Sequence, residues 1–406
     1  MRLDRDRFLM DGYLHLPGFF SPQRVAELRA AFELSLDRQR VIWSQQRGPD
    51  DPPGGAWDTN NQPRVLLEQP GLIDASNRLA IEQWVDDQVL EVADLLNCHG
   101  DTSLAELVLL CSPTQRDFGP STWHRDMDSA NMAPLQQLID DHLENGTRLV
   151  QWNVPLLDDD VFWLVPGSHR QNDGEFGDRS LSRITTPIPG SKQMRLRAGD
   201  VLVYANQILH WGSDYSRTLR RTLIVEHSIF TDMRQVPFRE VLGERAARHF
   251  AAADIRTMRA ERLTELALRS ALARDTSGYH AALEALQPGI GAAGKLLFTT
   301  YLDKIVNGLA HQHRRDLPEE VWHDRFIGRL HPISLRWGRS FSDRFTAAEV
   351  ESLHDRFAAY DAALQDPSLP GHRQQNYLFH DVPNLTVDAF TEQWLTSAAV
   401  GRSERA

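Results

Sequence analysis

The tetrapeptide Trp123-His124-Arg125-Asp126 sets an imidazole and a carboxylate two positions apart, with His210 and Arg221 further along the chain. In an extended strand, alternate side chains point to one face, so His124 and Asp126 can converge on a single ion. His210 can complete the set, because strands distant in sequence become neighbours in a closed sheet. Two histidines and one carboxylate make the facial triad that holds non-haem Fe(II) and leaves coordination positions open for substrate and oxygen. Arg221 then offers a fixed cation to a co-substrate carboxylate. The chemistry these residues point to is that of an oxygenase.

The strands that must carry these groups are readable from alternation. Arg221 to His227 puts Arg221, Leu223 and Val225 on one face, with Thr222 and Glu226 on the other. An arginine on an apolar face is costly unless it is paired with an anion. A bound dicarboxylate and an internal carboxylate partner are the two readings of that anion. Val150, Trp152 and Val154 alternate with Gln151 and Asn153, the period of a half-buried strand. Leu107 to Cys111 is an unbroken apolar run, read as a buried strand. Met194-Arg195-Leu196, an Ala198-Gly199-Asp200 turn and Val201 to Tyr204 read as a hairpin-like strand pair. Pro166-Gly167-Ser168 is a turn, and His169 beside it is read as a turn-stabilising group. His311-Gln312-His313 is the rival metal cluster. A helix end explains it better, since histidine and arginine are favourable near the C-terminal dipole.

Three further stretches accompany the His124-Arg125-Asp126 motif in order: Phe8 to Tyr13 with Leu16-Pro17-Gly18-Phe19-Phe20-Ser21; Leu164-Val165-Pro166-Gly167-Ser168-His169-Arg170; and Leu196 to Tyr204, leading into His210 and the pair Arg220-Arg221. Together they resemble the phytanoyl-CoA dioxygenase family of Fe(II)- and 2-oxoglutarate-dependent oxygenases, over approximately residues 5 to 230. The resemblance implies a mainly β jelly roll, a cupin-like double-stranded β-helix with flanking helices. It implies Fe(II), 2-oxoglutarate and O2 as cofactor and co-substrates, with decarboxylation to succinate and CO2 coupled to attack on an unactivated C–H bond. Carried over by motif, His124, Asp126 and His210 are the metal ligands and catalytic centre. Arg221, eleven positions after His210, anchors the distal carboxylate of 2-oxoglutarate, with adjacent Arg220 as its rival. Many members place a serine two residues after the distal histidine. Here that position is Gly212, so either Ser213 substitutes through a shifted turn or a different hydroxyl holds the co-substrate; Trp152 is a further expected contact to it.

With 406 residues, 41% apolar and 25% charged, the chain falls in the ordinary globular range. Two domains are expected: residues 1–235 as the oxygenase with N-terminal helices, and 236–406 as a mainly helical region serving as cap, support or dimerisation element. A net charge of −12 with no basic run argues against nucleic acid as a partner. No apolar stretch is long enough to span a bilayer and no signal peptide is read at the start, so no membrane partner is expected. Cys98 and Cys111 provide no disulfide framework, which fits a cytoplasmic setting. Ser21-Pro22 opens a helix with Val25, Leu28 and Phe32 on one face. Gln45 to Pro63 reads as a loop, and Ser129 to Asn145 as a partly helical lid. Glu240 to Arg274 and Ala281 to Gln287 read as helices, and Thr346 with Glu349 forms a capping box before a Val350, Leu353, Phe357, Leu364 stripe. The expected activity is hydroxylation of a small organic, biosynthetic molecule. Desaturation, epoxidation or cyclisation by the same chemistry, and a non-catalytic jelly-roll binding protein, are the alternatives. Asp126 argues against a halogenase, which needs the carboxylate position open for chloride. A homodimer through the helical region is a further expectation.

Overall fold

The computed structural model describes residues 3–60, 63–98, 101–112, 119–126, 133–172, 181–213, 219–229, 233, 236–314, 341–364, 368, 371–374, 377–380, 382 and 385–396. The chain divides into two compact units, residues 1–126, 146–171 and 180–257 forming one, and 127–145, 172–179 and 258–406 the other. The second unit therefore takes in two upstream segments as well as the C-terminal part.

Two antiparallel sheets make up the first unit. The larger has strands β1 (Tyr13–Leu16), β2 (Arg64–Leu66), β3 (Ser103–Ser112), β4 (Leu149–Pro155), β7 (Val201–Ala205) and β9 (Arg220–Ser228), in the order β1-β7-β4-β9-β3-β2. The smaller has β5 (Phe162–Leu164), β6 (Lys192–Gln193) and β8 (His210–Gly212), in the order β6-β5-β8. Its β6 is shorter than the strand read around Met194, which lies just beyond it. Register fixes which side chains share a face. Gln151 stands opposite Tyr204 and Glu226, Asn153 opposite Leu202 and Ile224, and Trp152 opposite Val203 and Val225.

Both faces of the large sheet are covered. The face with Val150, Trp152, Val154, Leu223 and Val225 packs on Phe8 of α1 (Arg5–Asp11) and on Leu28, Phe32 and Leu36 of α2 (Pro22–Gln46). Helix α2 starts where the sequence predicts: Pro22 is in its first turn and Ser21 Oγ accepts from Arg24 N at 3.2 Å. The opposite face meets the small sheet through Tyr13, Leu202 and Tyr204 against Phe162, Leu164, Met194 and Leu196. The Ala198-Gly199-Asp200 turn is pinned under this core. Gly199 has φ +93°, and a Cβ there would stand 2.7 Å from Phe20 O. Asp200 accepts from Gly18 N and Arg197 N at 2.8 and 2.9 Å, and lies 3.1 Å from His15 Nε2. Short helices α3 (Ala56–Thr59) and α4 (Leu79–Glu82) and the longer α5 (Asp87–Leu96) complete this unit. Helix α3 falls inside the stretch read as loop.

The second unit is mainly helical: α6 (Leu135–Asn145), part of α7 (Glu244–Ala273), α8 (Thr276–Leu286), α9 (Ala292–Arg314), α10 (Ala347–Leu364) and α11 (Val387–Thr396). It also holds a hairpin, β10 (Gly371–Gln374) with β11 (Tyr377–His380), that the sequence reading lacked. Helix α6 docks on α9 through Leu135, Leu138 and Ile139 against Leu297, and Thr300 Oγ1 donates to Gln137 Oε1 at 2.7 Å. Glu144 caps α9, accepting from Ala292 N and Ala293 N. The capping box at α10 forms as read: Thr346 N donates to Glu349 Oε2 at 2.7 Å, and Glu349 N to Thr346 Oγ1 at 3.3 Å. Lys304, with a 2% exposed side chain, bridges Asp303 and Asp361 at 3.1 and 3.3 Å. The side chains of His311 and His313 lie outside the described residues. No described helix is long and apolar enough to cross a membrane.

Candidate metal centre

His124 and His210 form a direct antiparallel backbone pair, His124 N to His210 O at 3.0 Å and His210 N to His124 O at 2.9 Å. Residues paired in this way project to the same face, so the two imidazoles stand side by side with ring centroids 4.3 Å apart. Asp126, two positions on, returns to that face. Its Oδ1 lies 3.4 Å from His124 Nε2 and its Oδ2 3.2 Å from His210 Nε2. One donor atom from each of the three residues lies within 4.8 Å of the others.

The tautomers are set by the backbone. His124 Nδ1 lies 2.7 Å from Thr122 O and His210 Nδ1 3.0 Å from Ile208 O. A carbonyl oxygen only accepts, so each Nδ1 carries a proton, and Nε2 is the atom each ring turns towards the centre and can offer as a ligand once its own proton is lost. Burial alone would raise the Asp126 carboxyl, but the charge of His210 and the hydrogen bond from His124 outweigh it. The group is held well below the usual carboxylate range. Burial also opposes protonation of His124, yet Asp126 raises its pKa above the usual histidine value. Two neutral-capable imidazoles and an ionised carboxylate, with Asp126 33% exposed on one side, form a donor set that fits Fe(II) with open positions.

The surroundings hold polar atoms that lack partners. Gln151 Nε2 donates to Asp126 Oδ2 at 2.9 Å. Gln151 Oε1, Asn153 Oδ1 and Tyr204 Oη, all buried on the face towards the small sheet, have no hydrogen-bond partner among the described residues. Burial, together with the charges of Asp126 and Glu226, keeps the Tyr204 hydroxyl protonated far above its usual range. Buried polar atoms without partners call for a ligand or water. Phe162 stacks on His210 at 5.2 Å and 15°.

The motif residues between the ligands act as braces. Arg125 points away from the centre and donates to Ser168 O and Gln171 O at 2.8 and 3.3 Å, and to Gln207 O. Ser168 Oγ accepts from Leu209 N at 2.8 Å, next to His210. His169 Nε2 lies 3.1 Å from Leu9 O, the turn-stabilising place read for it.

The expected co-substrate contacts fall differently. Arg221 faces away from the triad: its Nε lies 2.7 Å from Glu33 Oε1 on α2, beside Cys111, whose thiol burial pushes up to about 12. An internal carboxylate, Glu33, stands at the place of the anion read for it. Arg220 takes the inner face with Thr222 and Glu226. Trp152 is also on the far face, edge-on to Phe19 at 6.1 Å. Ser213 donates its hydroxyl to Val161 O at 3.1 Å. The physical reason is common to Arg221 and Trp152. A sheet buried on both sides gives an alternation that marks two faces without saying which one lines the site.

A model of the phytanoyl-CoA dioxygenase (PhyH) family matches residues 8–221, just over half of the 406-residue chain. The chain belongs to that family. It is therefore a 2-oxoglutarate-dependent dioxygenase that uses Fe(II), 2-oxoglutarate and O2. Similar solved structures include AviO1 from Streptomyces viridochromogenes Tue57, 22% identical over 56% of this chain and 96% of that one, TM-score 0.39. EctD from S. alaskensis, solved with 2-oxoglutarate and 5-hydroxyectoine, is 17% identical over 55% and 74%, TM-score 0.40. The non-heme alpha ketoglutarate dependent epimerase SnoN from nogalamycin biosynthesis is 20% identical over 55% and 81%, TM-score 0.37. These likenesses say nothing of what this chain acts on. No curated protein sequence matches it.

Proposed function

We propose that this PhyH-family dioxygenase hydroxylates an unactivated C–H bond of a small organic, biosynthetic molecule, while 2-oxoglutarate is decarboxylated to succinate and CO2. The observation that carries the reading is the presence of Asp126 in the triad, which fills the position that halide transfer would need open. We take the two sheets as the halves of a double-stranded β-helix with the triad at its mouth.

In this reading His124, Asp126 and His210 hold the metal, and the iron, when bound, supplies O2 activation and C–H cleavage. Gln151 steadies the Asp126 carboxylate, and the backbone carbonyls of Thr122 and Ile208 fix the imidazole planes. Arg220 replaces Arg221 as the group that pairs with the distal carboxylate of 2-oxoglutarate. Its support is the inner face it shares with Gln151 and Thr222, and its nine-tenths burial. Tyr204, held protonated, donates a hydrogen bond to a bound ligand, and Phe162 shields one side of His210 from water. Cys98 and Cys111 are both free thiols, in keeping with a reducing cytoplasm.

The test is turnover over a panel of metabolites with succinate and product mass read together. Stoichiometric succinate with a product that gains one oxygen atom supports hydroxylation. A product that has lost two hydrogens instead would replace it with desaturation.

A further inference from the structure

Gln151 of β4 and Tyr204 of β7 stand directly opposite one another in the large sheet, so their side chains leave it on the same face. Gln151 is 2% exposed and Tyr204 is fully buried. Gln151 Nε2 donates to Asp126 Oδ2 at 2.9 Å, and a carboxylate only accepts, so the amide has one orientation. That orientation leaves Gln151 Oε1 as an acceptor without a partner. Covalent geometry keeps Oε1 about 2.3 Å from Nε2, and hence beside the metal centre. Tyr204 Oη has no partner either. Its ring centroid lies 5.7 Å from that of His210, and burial, then the charges of Asp126 and Glu226, keep the hydroxyl protonated.

We propose that Gln151 Oε1 and Tyr204 Oη form a subsite for one hydroxyl group of the primary substrate, which donates to the amide oxygen and accepts from the phenol. The substrate class is then an alcohol whose oxygen lies near the iron. The inference deepens the small-molecule reading of the site and rests on it.

The assignment is one of complementarity. At neutral pH 2-oxoglutarate brings two carboxylates and a ketone, all acceptors, so it leaves Gln151 Oε1 unsatisfied. An ammonium donates to both oxygens and leaves the phenolic proton without an acceptor. A ketone accepts from the phenol and gives the amide oxygen nothing. A hydroxyl serves both with one atom. A water molecule does the same and is the rival occupant. Leaving a buried acceptor unpaired costs binding, so the site should reject an analogue without the donor more strongly than an apolar pocket rejects a missing methylene.

The probes are cyclohexanol, 2-octanol and 2-decalol, each beside the ketone of the same skeleton. They are added without O2 to the full chain loaded with Mn(II) and 2-oxoglutarate. Dissociation constants are read from the relaxation that the metal imposes on the probe protons. No turnover enters, so the reaction type is decided separately by product mass. If the hydroxyl preference stands while products lack an added oxygen, hydroxylation falls and the subsite remains.

At least one alcohol should bind about tenfold or more tightly than its ketone. Gln151→Met, at saturating Mn(II), should cut that preference to less than roughly threefold, because the acceptor is gone. Gln151→Leu gives the same reading should the methionine variant fail to fold. Tyr204→Phe should weaken alcohol and ketone alike by about tenfold, because both accept from the phenol. A purely structural role for the two residues would not divide the probes in this way. Alcohol and ketone held equally in all three pairs, including no relaxation of either, would overturn the proposal and leave the gap to water. So would an alcohol preference that survives Gln151→Met, or probe affinities unchanged in Tyr204→Phe.

Discussion

Gln151 donates to Asp126 Oδ2 at 2.9 Å from the middle of β4, and that oxygen is also the one nearest His210 Nε2, at 3.2 Å. The carboxylate is thus oriented by β4 as well as by the segment that carries it. Metal-ligating carboxylates depend on such partners for their direction and basicity. Gln151→Ala should weaken Fe(II) binding by roughly 10- to 100-fold with the fold intact. Competition against a chelator measures this, and an unchanged affinity would show that Asp126 is held adequately without it.

His124→Ala and His210→Ala should each abolish iron retention and turnover, since two remaining ligands leave a weak, misshapen site. Asp126→Gly should lose hydroxylation while retaining some iron through the two imidazoles. His311→Ala and His313→Ala should leave iron content as it is. Metal analysis after desalting is the readout. Full activity in either histidine variant of the triad would remove that residue from it.

Arg221→Ala should act on stability and not on the co-substrate. Its partner Glu33 is 40% exposed, so the pair is only half-shielded from solvent. The loss should be about 1 to 2 kcal/mol, part of it from packing of the arginine stem. Urea unfolding and the apparent KM for 2-oxoglutarate are measured on the same protein. A raised KM with unchanged stability would return the anchor role to Arg221.

What the sequence made legible follows from local rules. The Ser21 cap, the Thr346–Glu349 box and the alternation of β4 and β9 are written in neighbouring residues, and the structure has them. The His124 and Asp126 pairing is equally local. The inner face is not: Gln151, Asn153, Thr222 and Arg220 share the face turned away from α2, while the apolar Trp152, Leu223 and Val225 face that helix. The usual rule of apolar residues inside inverts where a sheet encloses a polar site on one side and packs helices on the other. In the proposed reading, that inversion moves the anchoring arginine from Arg221 to Arg220. The polar character of Gln151, Asn153 and Thr222 was the signal available.

His227 gives the first unit a pH dependence. Burial lowers its pKa to about 4, and its Nε2 lies 2.7 Å from Trp84 O. Unfolding returns it to about 6.5, so between those values the unfolded chain binds more protons. Stability is then full above the unfolded pKa and falls as pH drops from about 6.5 towards 4, by on the order of 3 kcal/mol. Denaturant unfolding across this range, followed by a signal from the first unit, should show the slope. His227→Gln should flatten it, and an equal slope in that variant would assign the dependence to other groups.

The most direct measurement is spectroscopic. Fe(II) is titrated anaerobically into the protein with 2-oxoglutarate present, and the visible charge-transfer band of a chelated complex is followed. The wild type should give the band at one iron per chain, only when both additions are made. His210→Ala should give none. A wild type without the band, or a band of equal strength in His210→Ala, would contradict the triad of His124, Asp126 and His210 as the iron site.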